Sequence, residues 1–167
     1  MVVRNWGWWM LLGVWISAFL ILTVVFGYWQ TGQQNPNQQV STQQLPGGEK
    51  VVVLTPNKQH HYIFTGSING QAVEFLVDTG ASHVSVPGHL ADTLGLKRGY
   101  PISVSTANGV ISVYLTRIEQ LGIGEIVLHD VLANINPAMR EDEVLLGMSA
   151  LRQLRFEQQG RQLIFRQ

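Results

Sequence analysis

Residues 75–87 read FLVDTGASHVSVP. Three apolar residues, Phe75, Leu76 and Val77, run directly into an acid, Asp78, and then into Thr79, Gly80 and Ala81. That order describes a buried strand ending in a tight loop with a carboxylate at its mouth. A carboxylate in that position is costly unless it is hydrogen-bonded or shares a proton with a neighbour. Gly80 lets the backbone approach closely or take a positive φ, and the Thr79 hydroxyl can donate and accept to hold the loop. Taken alone, the tripeptide also fits an Asx-turn in which Asp78 merely caps its own loop.

The flanks read as strands too. HYIFTGSI and AVEFLVD enclose Asn69-Gly70, and ISVSTA and VISVYL enclose Asn108-Gly109; both dipeptides are strong hairpin turns. RIEQLGIGEIVLHDVLANI gives two further runs, broken at Gly122 and Gly124, and QLIFRQ gives a last strand. Helical signals are few: Pro87 to Leu94, and Gly147 to Leu154. Many short strands joined by glycine-rich turns make residues 50–167 an all-β sandwich or barrel.

FLVDTGASHVSVP resembles the active-site loop of retropepsin-like aspartic proteases. Val144-Leu145-Leu146-Gly147, followed by a helical Met148 to Leu154, resembles that family's second hallmark, a hydrophobic-hydrophobic-Gly turn leading into a helix beneath the loop. Between them lies a hairpin where the family has its flap, with Thr106, Ala107, Asn108 and Gly109 at the tip. The resemblance runs from about His60 to Gln167, and two motifs about 65 residues apart are far more specific than either alone. It implies a closed β-barrel with one short C-terminal helix, and Asp78 as the catalytic carboxylate in the loop with Thr79, Gly80 and Ala81. Leu145, Leu146 and Gly147 would support that loop, Thr106 to Gly109 would cover a peptide or protein substrate, and no cofactor or metal is called for. The mechanism needs two aspartates sharing a proton. The chain carries one such motif, and Asp92-Thr93-Leu94 lacks the glycine, so the second carboxylate is expected from another copy in a homodimer.

Before this domain, residues 8–27 (WWMLLGVWISAFLILTVVFG) are almost wholly apolar. Twenty residues in a helix span roughly 30 Å, a bilayer's hydrocarbon thickness. Trp6, Trp8 and Trp9 at one end and Tyr28 and Trp29 at the other suit the two interfaces. Residues 1–29 are therefore expected to be a single transmembrane anchor, as in the membrane-anchored bacterial branch of the family. Arg4, the only flanking charge, points to a cytoplasmic N-terminus and an exported protease domain. A cleaved signal peptide fits less well, because the apolar run is long and YWQTGQQ offers no small-x-small site. Residues 30–49, polar, nearly uncharged and rich in Gln and Asn, read as a flexible linker.

Composition narrows the function further. Lys+Arg 11 balances Asp+Glu 11, so no basic excess exists for nucleic acid, and the absence of cysteine removes thiolate chemistry. His60 and His61 are neighbours that face opposite ways in a strand, and with His83, His89 and Asp130 they show no ligand spacing. Ser82 and Ser85 have no G-x-S-x-G setting. Two non-hydrolytic readings stay open at this point: a silent peptide- or protein-binding module on the same fold, or an assembly module of a membrane-envelope complex.

Overall fold

A computed structural model describes residues 6–106 and 109–167. Among these, the elements in chain order are α1 (Trp6–Gln34), β1 (Thr42–Gln44), β2 (Lys50–Leu54), β3 (Ile63–Ile68), β4 (Gln71–Val77), β5 (Val84–Pro87) and β6 (Pro101–Thr106). There follow β7 (Gly109–Ile123), β8 (Ile126–Asn136), β9 (Val144–Leu146), α2 (Met148–Leu151), β10 (Arg155–Gln159) and β11 (Gln162–Arg166). The chain divides into two compact units, residues 1–34 and 35–167.

In the first unit α1 is long and apolar enough to cross a membrane, and its window of highest hydropathy is 0% buried. Two of its hydroxyls bond back to the helix: Ser17 Oγ donates to the Gly13 carbonyl (2.9 Å) and Thr23 Oγ1 to that of Phe19 (2.8 Å). Such i−4 bonds satisfy a hydroxyl without water.

The second unit is all-β. Strands pair in the order β3-β4-β9-β5-β8-β7-β6, and β3 pairs again with β7, so six of them close into a barrel from which β6 projects. Closure depends on two glycines. A Cβ on Gly66 would strike the Gly122 carbonyl, and one on Gly122 would strike the Ser67 hydroxyl, so side chains there would hold β3 and β7 apart. The sequence suggested a break at Gly122; instead β7 runs through it to Ile123, and the chain turns only at Gly124, where φ is +59. The Asn69-Gly70 turn forms as expected, with both residues at positive φ (50 and 83).

Alternation places Phe75, Val84, Val86, Ala133, Ile135, Val144 and Leu146 in the core. A second sheet, ordered β1-β2-β11-β10, joins this core through Phe165 of β11. Its ring lies edge-on to Phe64 at 6.3 Å, and Phe64 stacks on Phe75 at 5.2 Å.

Two further expectations differ from the structure. Residues 88–95 form consecutive turns rather than a helix over Pro87 to Leu94. Pro87 is taken by β5, paired with Asn136, and the Gly88 N–H donates to the Asn136 carbonyl (2.9 Å), so the start of the expected helix is held extended against β8. The tract 30–49, read as flexible, is ordered: residues 30–34 continue α1 past the expected anchor end at 29, and from Asn35 onward the chain joins the second unit. Asn37 Nδ2 donates to the Ile63 and Thr55 carbonyls (2.6 and 2.9 Å), and its Oδ1 accepts the Thr55 N–H (2.8 Å). Asn35 Nδ2 donates to Glu74 (2.7 Å), and β1 pairs with β2. The tract has no core of its own, and its carboxamides gain order by bonding to barrel backbone already in place.

Candidate active site

β4 and β9 run parallel with Leu76 opposite Leu145 and Val77 opposite Leu146, so the Asp78 loop and the Gly147 turn leave the sheet side by side. The Asp78 N–H donates to the Leu146 carbonyl (3.1 Å). One carboxylate oxygen, Oδ1, accepts the Gly80 N–H (2.9 Å), while Oδ2 has no partner among the described residues. Asp78 thus makes the Asx-type contact of a loop cap and still offers a free oxygen on a half-buried group.

Gly147 locks the loop from below. A Cβ there would collide with the His83 carbonyl and sit 2.7 Å from that of Ala81. With no side chain in the way, the Met148 and Ser149 N–H groups reach the Ala81 and Ser82 carbonyls (2.8 and 3.1 Å). Ser149 Oγ accepts the Val84 N–H (3.0 Å) and donates to the Leu132 carbonyl (2.6 Å). The loop backbone is therefore held at both ends and in the middle, which preorganises the carboxylate without using its second oxygen.

Above the loop lies a cleft of about 420 Å³ lined by Asp78, Gly80 and Ala81 together with Leu145. Of the residues expected to support the site, Leu145 faces this cleft, Leu146 is buried in the core, and Gly147 packs under the loop. Thr79 points elsewhere, into a separate groove of about 280 Å³ with Tyr62, Val77, Phe156 and Leu163, and is exposed. Of the expected flap tip, Thr106 lines the cleft and donates from Oγ1 to the Gly109 carbonyl (2.8 Å), and Gly109 has φ +113. Ala107 and Asn108 lie outside the described residues. Asp92 does not line the cleft; it pairs on the surface with Arg98 (3.2 Å).

The cleft also contains Asn134 and Asn136, which the motif reading did not consider, and His83 and Ser85, which it weighed only as a metal ligand and a serine nucleophile. A signal was present: Asn134 and Asn136 interrupt the apolar run VLANIN at alternate positions, as Ser85 interrupts VSV. Polar residues at alternate positions of an otherwise buried strand mark a face that meets something other than core.

A closed barrel with an Asp-Thr-Gly loop seated on a hydrophobic-Gly turn defines the retropepsin-like aspartic protease class. The family model described as "gag-polyprotein putative aspartyl protease" matches residues 64–153, and the chain belongs to that family. The crystal structure of a retropepsin-like aspartic protease from Rickettsia conorii superposes with a TM-score of 0.60 at 25% identity, covering 77% of this chain and 95% of that one. A Sinorhizobium sp. relative described as "Uncharacterized protein in cobV 5'region" is 31% identical over 107 residues, 62% of this chain. This chain spans only 46% of that relative's length.

Proposed function

We propose that the protein is an aspartic endopeptidase whose catalytic pair is Asp78 from each of two copies. The observation that carries this is the Asp78 carboxylate itself, with Oδ1 fixed by the Gly80 N–H and Oδ2 free at the cleft. Two such carboxylates brought together cannot both ionise, so they hold one proton between them. The ionised one takes a proton from a bound water, whose oxygen attacks the scissile carbonyl carbon. The protonated one gives its proton to the carbonyl oxygen, and collapse of the tetrahedral intermediate expels the amine with a proton returned through the pair. No covalent acyl-enzyme forms.

Three features favour a second copy. The chain carries one Asp-Thr-Gly, Thr79 is exposed beside the site without a partner among the described residues, and β10 is an exposed edge lining the same groove. We further read α1 as a membrane anchor, supported by its length and its apolar surface; the orientation, N-terminus cytoplasmic and barrel exported, rests on Arg4 in the sequence alone.

Asp78→Asn tests the mechanism. The amide keeps an oxygen for the Gly80 N–H, so the melting temperature should stay within a few degrees while peptide hydrolysis falls at least about a thousandfold. Hydrolysis at the wild-type rate in that variant would overturn the proposal.

A further inference from the structure

The floor of the Asp78 cleft has two unlike halves. The pairings Leu76–Leu145, Leu145–Ser85 and Ser85–Asn134 set these four residues in one row across β4, β9, β5 and β8. Asn136, two residues along β8, shares the face of Asn134. Of this row Leu145, Ser85 and Asn134 line the cleft; the Leu145 side is apolar, and the other side is polar although it is buried: Ser85 and Asn134 are each 6% exposed, and Asn136 is 8% exposed. On the opposite face of the same strands Val84, Val86, Ala133 and Ile135 are apolar, as packing alone demands.

The hydrogen bonds of the polar half are incomplete. Ser85 Oγ donates to Asn134 Oδ1 (2.8 Å), and Asn136 Oδ1 accepts the Ala138 N–H (2.9 Å). Neither carboxamide Nδ2 has a partner among the described residues. Yet no fully buried side-chain nitrogen or oxygen there is left unpartnered, so both amino groups keep accessible surface, and the cleft is the space that both residues line. For Asn136 the orientation is set by chemistry, since only the oxygen can accept a backbone N–H. The floor therefore presents two amide donors, each on a side chain more than nine-tenths buried.

We propose that this half of the cleft takes a substrate side chain ending in a neutral carboxamide, glutamine or asparagine, whose carbonyl oxygen accepts from Asn134 and Asn136. The inference rests on the hydrolytic reading above and names its substrate class: extended peptides with an amide side chain close to the scissile bond. An aliphatic side chain would bury both donors without acceptors. A carboxylate would lose its hydration in a cleft that already holds Asp78 and where, among the described lining residues, there is no Lys or Arg and His83 is the one basic side chain.

The test uses the full-length chain in detergent with peptide libraries that vary each residue flanking the cleaved bond. At one position kcat/KM for Gln or Asn should exceed that for Leu or Glu by about tenfold or more, as expected where a site's donors would otherwise go unpaired. Ser85→Val combined with Asn134→Leu removes both members of the buried bond and should shift that position to Leu. The wild-type profile decides alone if the double variant fails to fold. An aliphatic, acidic or absent preference at every position overturns the assignment and leaves the hydrolytic reading standing. If no peptide is cleaved, the hydrolytic reading falls, and binding of the same peptides to Asp78→Asn decides the floor. Tighter binding of Gln than Leu peptides supports it, and equal binding overturns it.

Discussion

The barrel and the four-stranded sheet treat their edges in opposite ways. In the barrel β3 returns to β7, so each strand of the ring has a neighbour on both sides. The sheet β1-β2-β11-β10 stops at two open edges, and every residue of β10 is exposed. An open edge carries unpaired backbone donors and acceptors, which either tolerate water or recruit another strand. The chain completes alone what the closed part can hold, a rigid loop with one carboxylate. On the function proposed above, the second carboxylate would come from a copy that meets the open part; β10 shares a groove with Thr79, the residue next to Asp78.

The sharpest way to break the closed part is Gly147→Ala. Its Cβ would drive into the His83 carbonyl, and only backbone movement can relieve that contact. We expect a loss of about 3 kcal/mol or more in chemical denaturation, with activity falling further than stability because the loop moves with it. A stability unchanged within error would show that the turn is not the loop's support.

Asn37→Ala sharpens the boundary between the two parts. It removes an acceptor for the Thr55 N–H and donors for two carbonyls. The expected cost is about 2 kcal/mol, with faster hydrogen exchange confined to residues 35–55. Wild-type protection there would mean that the tract is not held by these bonds.

The smallest effect is expected on the open edge. Phe156→Lys puts a charge on the groove beside Thr79, where Phe156 is 38% exposed. The dimer dissociation constant from sedimentation should rise about tenfold, with the melting temperature of dilute protein almost unmoved. An unaltered dissociation constant would move the interface away from β10.

The sequence showed the barrel's closed part more fully than the open one, for a physical reason. Gly147 sits where a Cβ would strike two carbonyls, a Cβ on Gly80 would crowd Asp78 Oδ1 at 3.1 Å, and Asp78 binds the Gly80 N–H, so their identities carry the information. The Asn69-Gly70 hairpin is legible for the same reason. The order in residues 35–44 comes from bonds to strands tens of residues away, such as Asn37 to Ile63, and no local pattern reports them. The turns at 88–95 were hidden likewise, because β5 claims Pro87 through a partner on β8. Ser85, Asn134 and Asn136 were visible as breaks in apolar alternation, but their convergence depends on the parallel register of β5 and β8.

Mixing subunits tests the shared pair most directly. Full-length wild-type chain and Asp78→Asn chain are combined in increasing ratio at constant total concentration, in detergent that allows exchange, and peptide hydrolysis is followed. If each site needs an Asp78 from both copies, activity falls as the square of the wild-type fraction, to about a quarter at equal amounts. A fall in direct proportion, to one half at equal amounts, would mean that a single Asp78 suffices and would contradict the account.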